Sequence, residues 1–224
     1  MKFLKKNYSL MLIIFAAFIY SNFLIIKFSF SWPVPDTGQT KCYDDKKEIP
    51  CPSKGESYYG QDAQYETNKR SYTKLDKNGR TLSDSASSWA MVKDNVTGLI
   101  WEVKTNDGSI HDKNNKYKLE GSIIKFWESS IQNFINKLNS SRFGGFSDWR
   151  IPNIKELASI SNKGIYDPAI DEQFFPNTMS DFYWSSTTNA RHTGYAWGVY
   201  FGNGNDRYNS KSSAYYVRAV RSGQ

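Results

Sequence analysis

Between Phe182 and Gln224 apolar and aromatic side chains recur at every second position, and this period of two constrains the fold more than any other feature of the chain. "FYWSSTT" (182–188) reads as one short strand. "YAWGVYFGNGNDRYN" (195–209) reads as a hairpin turned at 202–205. Tyr195, Trp197, Val199 and Phe201 share one of its faces, and Gly198 and Tyr200 the other. "SAYYVRAVRSGQ" reads as a final strand in which Val217 and Ala219 alternate against Arg218 and Val220. Short strands in quick succession imply antiparallel pairing.

The middle of the chain switches period. "SYTKLDKNGRTLSD" (71–84) predicts a hairpin turned at Asn78-Gly79. "WAMVKDNVTGLIWEVKT" (89–105) predicts two apolar runs around the turn "DNVTG", with Leu99, Trp101 and Val103 alternating as on a half-buried strand. Residues 106–121 read as a solvated loop, because their Asp and Asn spacing fails the calcium-loop pattern. Ile123, Trp127, Ile131, Phe134, Ile135 and Leu138 then recur at steps of three and four, an amphipathic helix with Ser122 as its N-cap. In "DWRIPNIKEL" (148–157), Trp149 and Ile151 point into the core and Pro152 keeps Ile151 extended. Asn153 and Glu156 have the spacing of a capping box for a second helix, which Gly164 is placed to end. Arg150 leaves the opposite face of that extended segment, which suits a structural ion pair. The class is therefore α+β, an antiparallel sheet with two helices.

The N-terminal end carries different signals. Lys2, Lys5 and Lys6 precede the apolar stretch 9–26, and Ser29 and Ser31 are spaced for signal-peptidase cleavage before Trp32. Residues 1–31 are expected to be a signal peptide or, if uncleaved, a membrane anchor. The product is then exported, to the periplasm, the cell surface or the medium. That segment holds 4 of the 29 basic residues and no acid, so residues 32–224 keep 25 basic against 22 acidic side chains and +7 becomes +3. A mixed surface of this kind excludes a nucleic-acid footprint. Residues 32–224 suit a single domain, with 32–75 as an extended arm. Cys42 and Cys51 are the only cysteines and lie in the exported part, so they are expected to bridge and pin the arm.

The words "DNVTGLIWE" (94–102), "DWRIPNIKEL" (148–157), "YWSS" (183–186), "AWGVYFGNG" (196–204) and "YYVRAVR" (215–221), with the opening "PVPDTGQTKCYDD", resemble the Lcl C-terminal domain family over nearly all of 32–224. The resemblance implies an exported bacterial domain with a fold related to C-type lectin-like modules. It also implies kinship with the terminal domain of a collagen-like adhesin that binds sulfated glycosaminoglycans and assembles as a trimer. Two departures matter. Family members often carry further cysteines where this chain has Met91 and "FGGF" (143–146), which suggests that packing stands in for a second bridge. The chain has no collagen-like repeat, so neither stalk nor trimer carries over.

An enzyme needs a constellation, and the sequence offers none: no hydrolytic triad, no zinc set and no phosphate-binding glycine loop. His111 and His192 are expected as exposed polar residues, and neither a cofactor nor a metal is expected. The candidate ligand-binding residues are Arg191, Tyr200, Arg207, Tyr208 and Lys211, with Tyr195 beside them; they are expected to form a basic, aromatic strip facing solvent on the hairpin, whose opposite face (Trp197, Val199, Phe201) is expected to be packed. Aromatic faces stack on sugars, and Arg and Lys match sulfate or carboxylate. Trp101, Trp149, Arg150, Asn153, Glu156, Trp184 and Trp197 are expected to be structural. Three functions compete: a surface binding module for sulfated or acidic polysaccharide, a structural or assembly domain of an envelope or surface complex (with a second copy of the chain among its candidate partners), and an enzyme on a lectin-like scaffold.

Overall fold

A computed structural model describes residues 33–119 and 131–223. The expected targeting segment 1–31 and the start of the amphipathic helix, with Ser122, Ile123 and Trp127, lie outside the described residues. Within them the fold is α+β and its strands pair antiparallel. A two-stranded ribbon joins β1 (Cys42–Tyr43) and β2 (Glu48–Ile49). The larger sheet has the order β3-β4-β5-β9, from Tyr72–Leu75, Met91–Asp94, Leu99–Glu102 and Val220–Ser222. The third has the order β6-β7-β8, from Phe182–Thr188, Tyr195–Tyr200 and Asn205–Ser210. Two helices, α1 (Ile131–Ser140) and α2 (Ile154–Ser159), lie between β5 and β6 in the chain.

The "DNVTG" turn joins β4 to β5 as expected. The Gly98 N–H donates to the Asp94 carbonyl at 2.8 Å, and Gly98 takes the left-handed φ of 73° that suits glycine. At Asn78-Gly79 a tight turn also forms, with Asp76 N–H donating to the Arg80 carbonyl at 2.9 Å. Its return arm contributes only the single bridge Leu75↔Thr81, whereas the ladder of β3 runs against β4. The reason is burial: Met91 and Val92 are fully buried, while the polar residues after Gly79 bring little to pack.

β5 departs further from expectation. It is buried on both faces, not one. Leu99, Trp101 and Val103 belong to one core with Leu157, Tyr183, Val199 and Phe201. Ile100 belongs to a second core, with Phe134 and Leu138 of α1 and with Trp149 and Trp184. Glu102 and Lys104 share the second face and are buried with it. The segment 215–221, expected as a simple alternating strand, crosses between the sheets. Tyr215 bridges Tyr117, Tyr216 bridges Tyr183, and only Val220–Ser222 extends β5's sheet. Arg218 is consequently buried where alternation alone would have left it outside.

The Cys42–Cys51 disulfide is formed and ties the β1–β2 ribbon to the loop after it. Tyr72–Leu75, counted with the arm from sequence, is the first strand of the four-stranded sheet. The arm itself is laced to the domain at several points. Asp36 N–H donates to the Asn68 carbonyl at 3.0 Å within the arm, and Lys163 N–H donates to the arm's Thr37 carbonyl at 2.8 Å. Arg70 gives Nη1 to the Ser159 carbonyl at 2.9 Å and Nη2 to the Ser161 carbonyl at 2.6 Å. These bonds satisfy carbonyls at the end of α2, so the helix stops at Ser159 without a glycine cap. Gly164 serves another purpose: a Cβ there would meet the Gly38 carbonyl oxygen of the arm.

Candidate functional site

The β7–β8 hairpin follows from its turn. Gly204 has a φ of 73° and donates its N–H to the Tyr200 carbonyl at 2.8 Å, which fixes Tyr200 opposite Asn205. Every other pair follows in step: Val199↔Asp206, Gly198↔Arg207, Trp197↔Tyr208, Ala196↔Asn209 and Tyr195↔Ser210. Opposed residues share a face, and neighbours along a strand do not. Trp197 and Tyr208 therefore stand together, with ring centres 5.3 Å apart in an edge-to-face contact. Tyr195 meets Tyr208 on the same face at 6.0 Å, and His192 approaches Tyr195 at 6.1 Å. Tyr195 is 41% and Tyr208 49% exposed, so this aromatic row is open to solvent.

This register corrects the expected strip, in which Tyr200, Arg207 and Tyr208 shared one exposed face. Arg207 lies over the Tyr200 ring, 4.5 Å from its centre, on the face opposite Tyr208. Lys211 is on that second side as well, its Nζ donating to Thr188 Oγ1 at 2.9 Å beside Ala196. Arg191 sits in the exposed loop before β7, where its N–H donates to Asn189 Oδ1 at 3.0 Å. The face expected to be packed is packed only at one end: Val199 and Phe201 are buried, whereas Trp197 is half-buried. β8 is the edge of its sheet, so both faces of the hairpin meet solvent along one rim.

The residues expected to be structural take three kinds of place. Trp101, Trp149 and Trp184 are fully buried; the indole N–H donates to the Phe143 carbonyl from Trp149 and to the Tyr117 carbonyl from Trp184, each at 2.9 Å. Burial of such a side chain removes roughly 150–250 Å² from water, about 4–6 kcal/mol of gross transfer free energy. Asn153 and Glu156 form the capping box: Glu156 N–H donates to Asn153 Oδ1 at 2.9 Å and Asn153 N–H to Glu156 Oε2 at 2.8 Å. Arg150 grips the same carboxylate with Nη1 and Nη2, each at 2.7 Å. Its backbone pairs with Val220, N–H to carbonyl at 2.9 Å in both directions.

A buried charge cluster had no clear signal in the sequence. Glu102 Oε1 meets Lys104 Nζ at 3.1 Å and His111 Nδ1 at 2.8 Å, and Oε2 accepts the Ala219 N–H at 3.0 Å. Arg218 donates to the Glu102 carbonyl and to Thr178 Oγ1, both at 2.7 Å. Burial pulls Glu102 and Lys104 alike toward neutrality. In Glu102 that pull is outweighed by Lys104, His111 and the Ala219 amide, which hold its pKa below the ordinary carboxylate value. In Lys104 burial, helped by the Arg218 charge, wins over Glu102 and the Asp112 charge, and the pKa is lowered. Glu102 has the most partners, so its charge is the firmer of the two. His111 is accordingly not the exposed residue expected. It orients on Glu102 and stacks on Phe143, with ring centres 4.4 Å apart. Only the alternation of Glu102 and Lys104 within an apolar strand hinted at this. Among the described residues no three His, Cys, Asp or Glu side chains gather as a metal site would require.

Against known proteins, the family model of the Lcl C-terminal domain matches residues 90–221, from β4 into β9, and so the hairpin and most of both cores. No curated protein matches the chain.

Proposed function

The chain belongs to the Lcl C-terminal domain family, and on that footing we propose that it is an exported, non-catalytic module that binds polysaccharide along the β8 rim of its hairpin. One observation carries the reading: exposed Tyr195 and Tyr208 and half-buried Trp197 form an aromatic row on one face of the β7–β8 hairpin, whose second strand is the sheet edge. Flat, partly wet rings of this kind stack on the apolar faces of pyranose rings and keep an edge for hydrogen bonding. A sugar chain lying along the rim meets Tyr208 from one side and Arg207 and Lys211 from the other, with Arg191 beyond. Those cations favour sulfated or uronic-acid polysaccharides, and screening by salt should weaken the contact. The same reading takes the fold as C-type lectin-like and the site of action as the periplasm, cell surface or medium. The disulfide is compatible with export.

Retention on heparin and on an uncharged glucan tests it. Tyr195→Ala with Tyr208→Ala should weaken retention on both supports, whereas Arg191→Ala with Arg207→Ala and Lys211→Ala should weaken retention on heparin alone. Unchanged elution of both variants would remove the hairpin from consideration. An assembly role is the second reading, favoured by the six residues of β8 lying at an open edge with Asn205–Tyr208 exposed. A sedimentation mass that is a multiple of the chain and drops when Tyr208 is replaced by proline would favour it.

A further inference from the structure

The geometry points to a second site, away from the hairpin: a cavity of about 660 Å³ between the N-terminal arm and α2 that takes a small amphiphilic carboxylate, a short acyl chain with one anionic head.

The volume falls within the range of about 300–1,000 Å³ typical of small-molecule sites. Its apolar wall comes from both sides of the chain fold. Pro35 and Val34 of the arm face Leu99 of β5 and Ala158 of α2. Val34 is 76% exposed, an apolar side chain held open at the mouth. Such a wall accepts an alkyl chain, with about 0.8 kcal/mol gained for each CH₂ buried.

The charged groups select the head. Arg70, Lys155 and Lys163 are the cations of the lining, and Glu156 is its acid. Glu156 is already neutralised, since Arg150 and the Asn153 N–H occupy its two oxygens. Arg70 is different. Its Nη groups rest on uncharged partners, the carbonyls of Thr37, Ser159 and Ser161 and the Tyr72 hydroxyl, and its Nε is buried with no hydrogen-bond partner. Its charge at the cavity wall therefore rests on uncharged partners and no carboxylate. Lys163 feels it: burial first, and then the Arg70 charge, lower the Lys163 pKa against the opposing pull of Asp206. A cationic end joined to an apolar wall complements a carboxylate on a short chain. A neutral alcohol satisfies only the wall, and an inorganic anion only the cations.

Sodium octanoate, with 1-octanol as the uncharged comparison, is the probe. The full chain is titrated and amide shifts are followed by nuclear magnetic resonance, so that binding is located as well as detected. Octanoate should move Val34, Leu99 and Ala158 together and saturate. Lys155→Ala with Lys163→Ala, both outside the cores, should weaken binding by about tenfold, the scale of one charge-assisted contact. Ala158→Phe should fill the space and abolish the shifts. If that variant does not fold, the lysine pair still decides. Octanol binding as tightly as octanoate, an unchanged affinity in the lysine variant, shifts centred elsewhere, or no shift at millimolar octanoate would each overturn the assignment.

Discussion

Arg150 and Glu156 form a two-pronged ion pair, Nη1 to Oε2 and Nη2 to Oε1 at 2.7 Å each, while the same carboxylate closes the cap of α2. Glu156 thus fastens both the extended segment before Pro152 and the helix after it. With side chains 42% and 18% exposed, the pair is partly screened, and its share is about 1 kcal/mol. Arg150→Ala should lower the melting temperature by about 2–4 °C, while the folded fraction elutes from heparin at the same salt as the parent. Glu156→Ala, which also loses the cap, should cost about 1 kcal/mol more. Thermal unfolding decides, and equal losses in the two variants would show that the cap and the ion pair are not both at work.

Glu102 sets a pH dependence whose sign is fixed by its environment. Its folded pKa lies below the ordinary carboxylate value, so the folded state holds the charged form more firmly than the unfolded state does. The stability this provides is present above the unfolded pKa and is lost as pH falls through the folded one. Melting temperature should therefore decline as pH drops below the ordinary range. Glu102→Gln should be destabilised near neutrality by about 3–5 kcal/mol, because Lys104 loses its partner in the core, and should show a shallower decline in acid. A variant curve parallel to the parent's would assign the acid sensitivity elsewhere.

At Gly198 the backbone of β7 lies close against β6. A Cβ there would fall on the Tyr183 carbonyl oxygen and on the Phe182 ring. Gly198→Ala should cost about 3 kcal/mol or more through overpacking against backbone that cannot yield. Urea unfolding measures this. A midpoint equal to the parent's would mean that the two strands can separate freely.

The disulfide closes a loop of about ten residues, worth about 2.5 kcal/mol in the chain-entropy account, yet neither core draws on residues 42–65. Cys42→Ser with Cys51→Ser should raise amide exchange in β1 and β2 and leave β5 and β7 protected. Equal acceleration in β5 would show that the arm and the cores unfold as one unit.

Local signals survived folding best. The capping box, the turns at Gly98 and Gly204, and the β7–β8 hairpin each depend on residues a few positions apart, and each formed where the sequence implied it. The candidate strip failed because Arg207 and Tyr208 are neighbours on a strand and must face opposite ways, whatever chemistry they share. Glu102, Lys104 and Arg218 were illegible for a different reason. Their burial comes from α1, Phe175 and Thr178, partners that no spacing within β5 can reveal. Met91 lies between these cases. It is buried, and a Cβ added to Gly144 would strike its sulfur, so a thioether fills the position where a second bridge was expected to be missing.

The pairing of β5 with β9 also fixes an order of events. Glu102 takes an amide from Ala219, 117 positions later, and β5 gains its second neighbour only at Val220–Ser222. A chain made from its N-terminus has β5 and its interior carboxylate long before the residues that enclose them. Contacts so distant in sequence form slowly and late. The four-stranded sheet is therefore completed only after synthesis has passed residue 222, and the interior carboxylate of β5 waits for its amide partner until then.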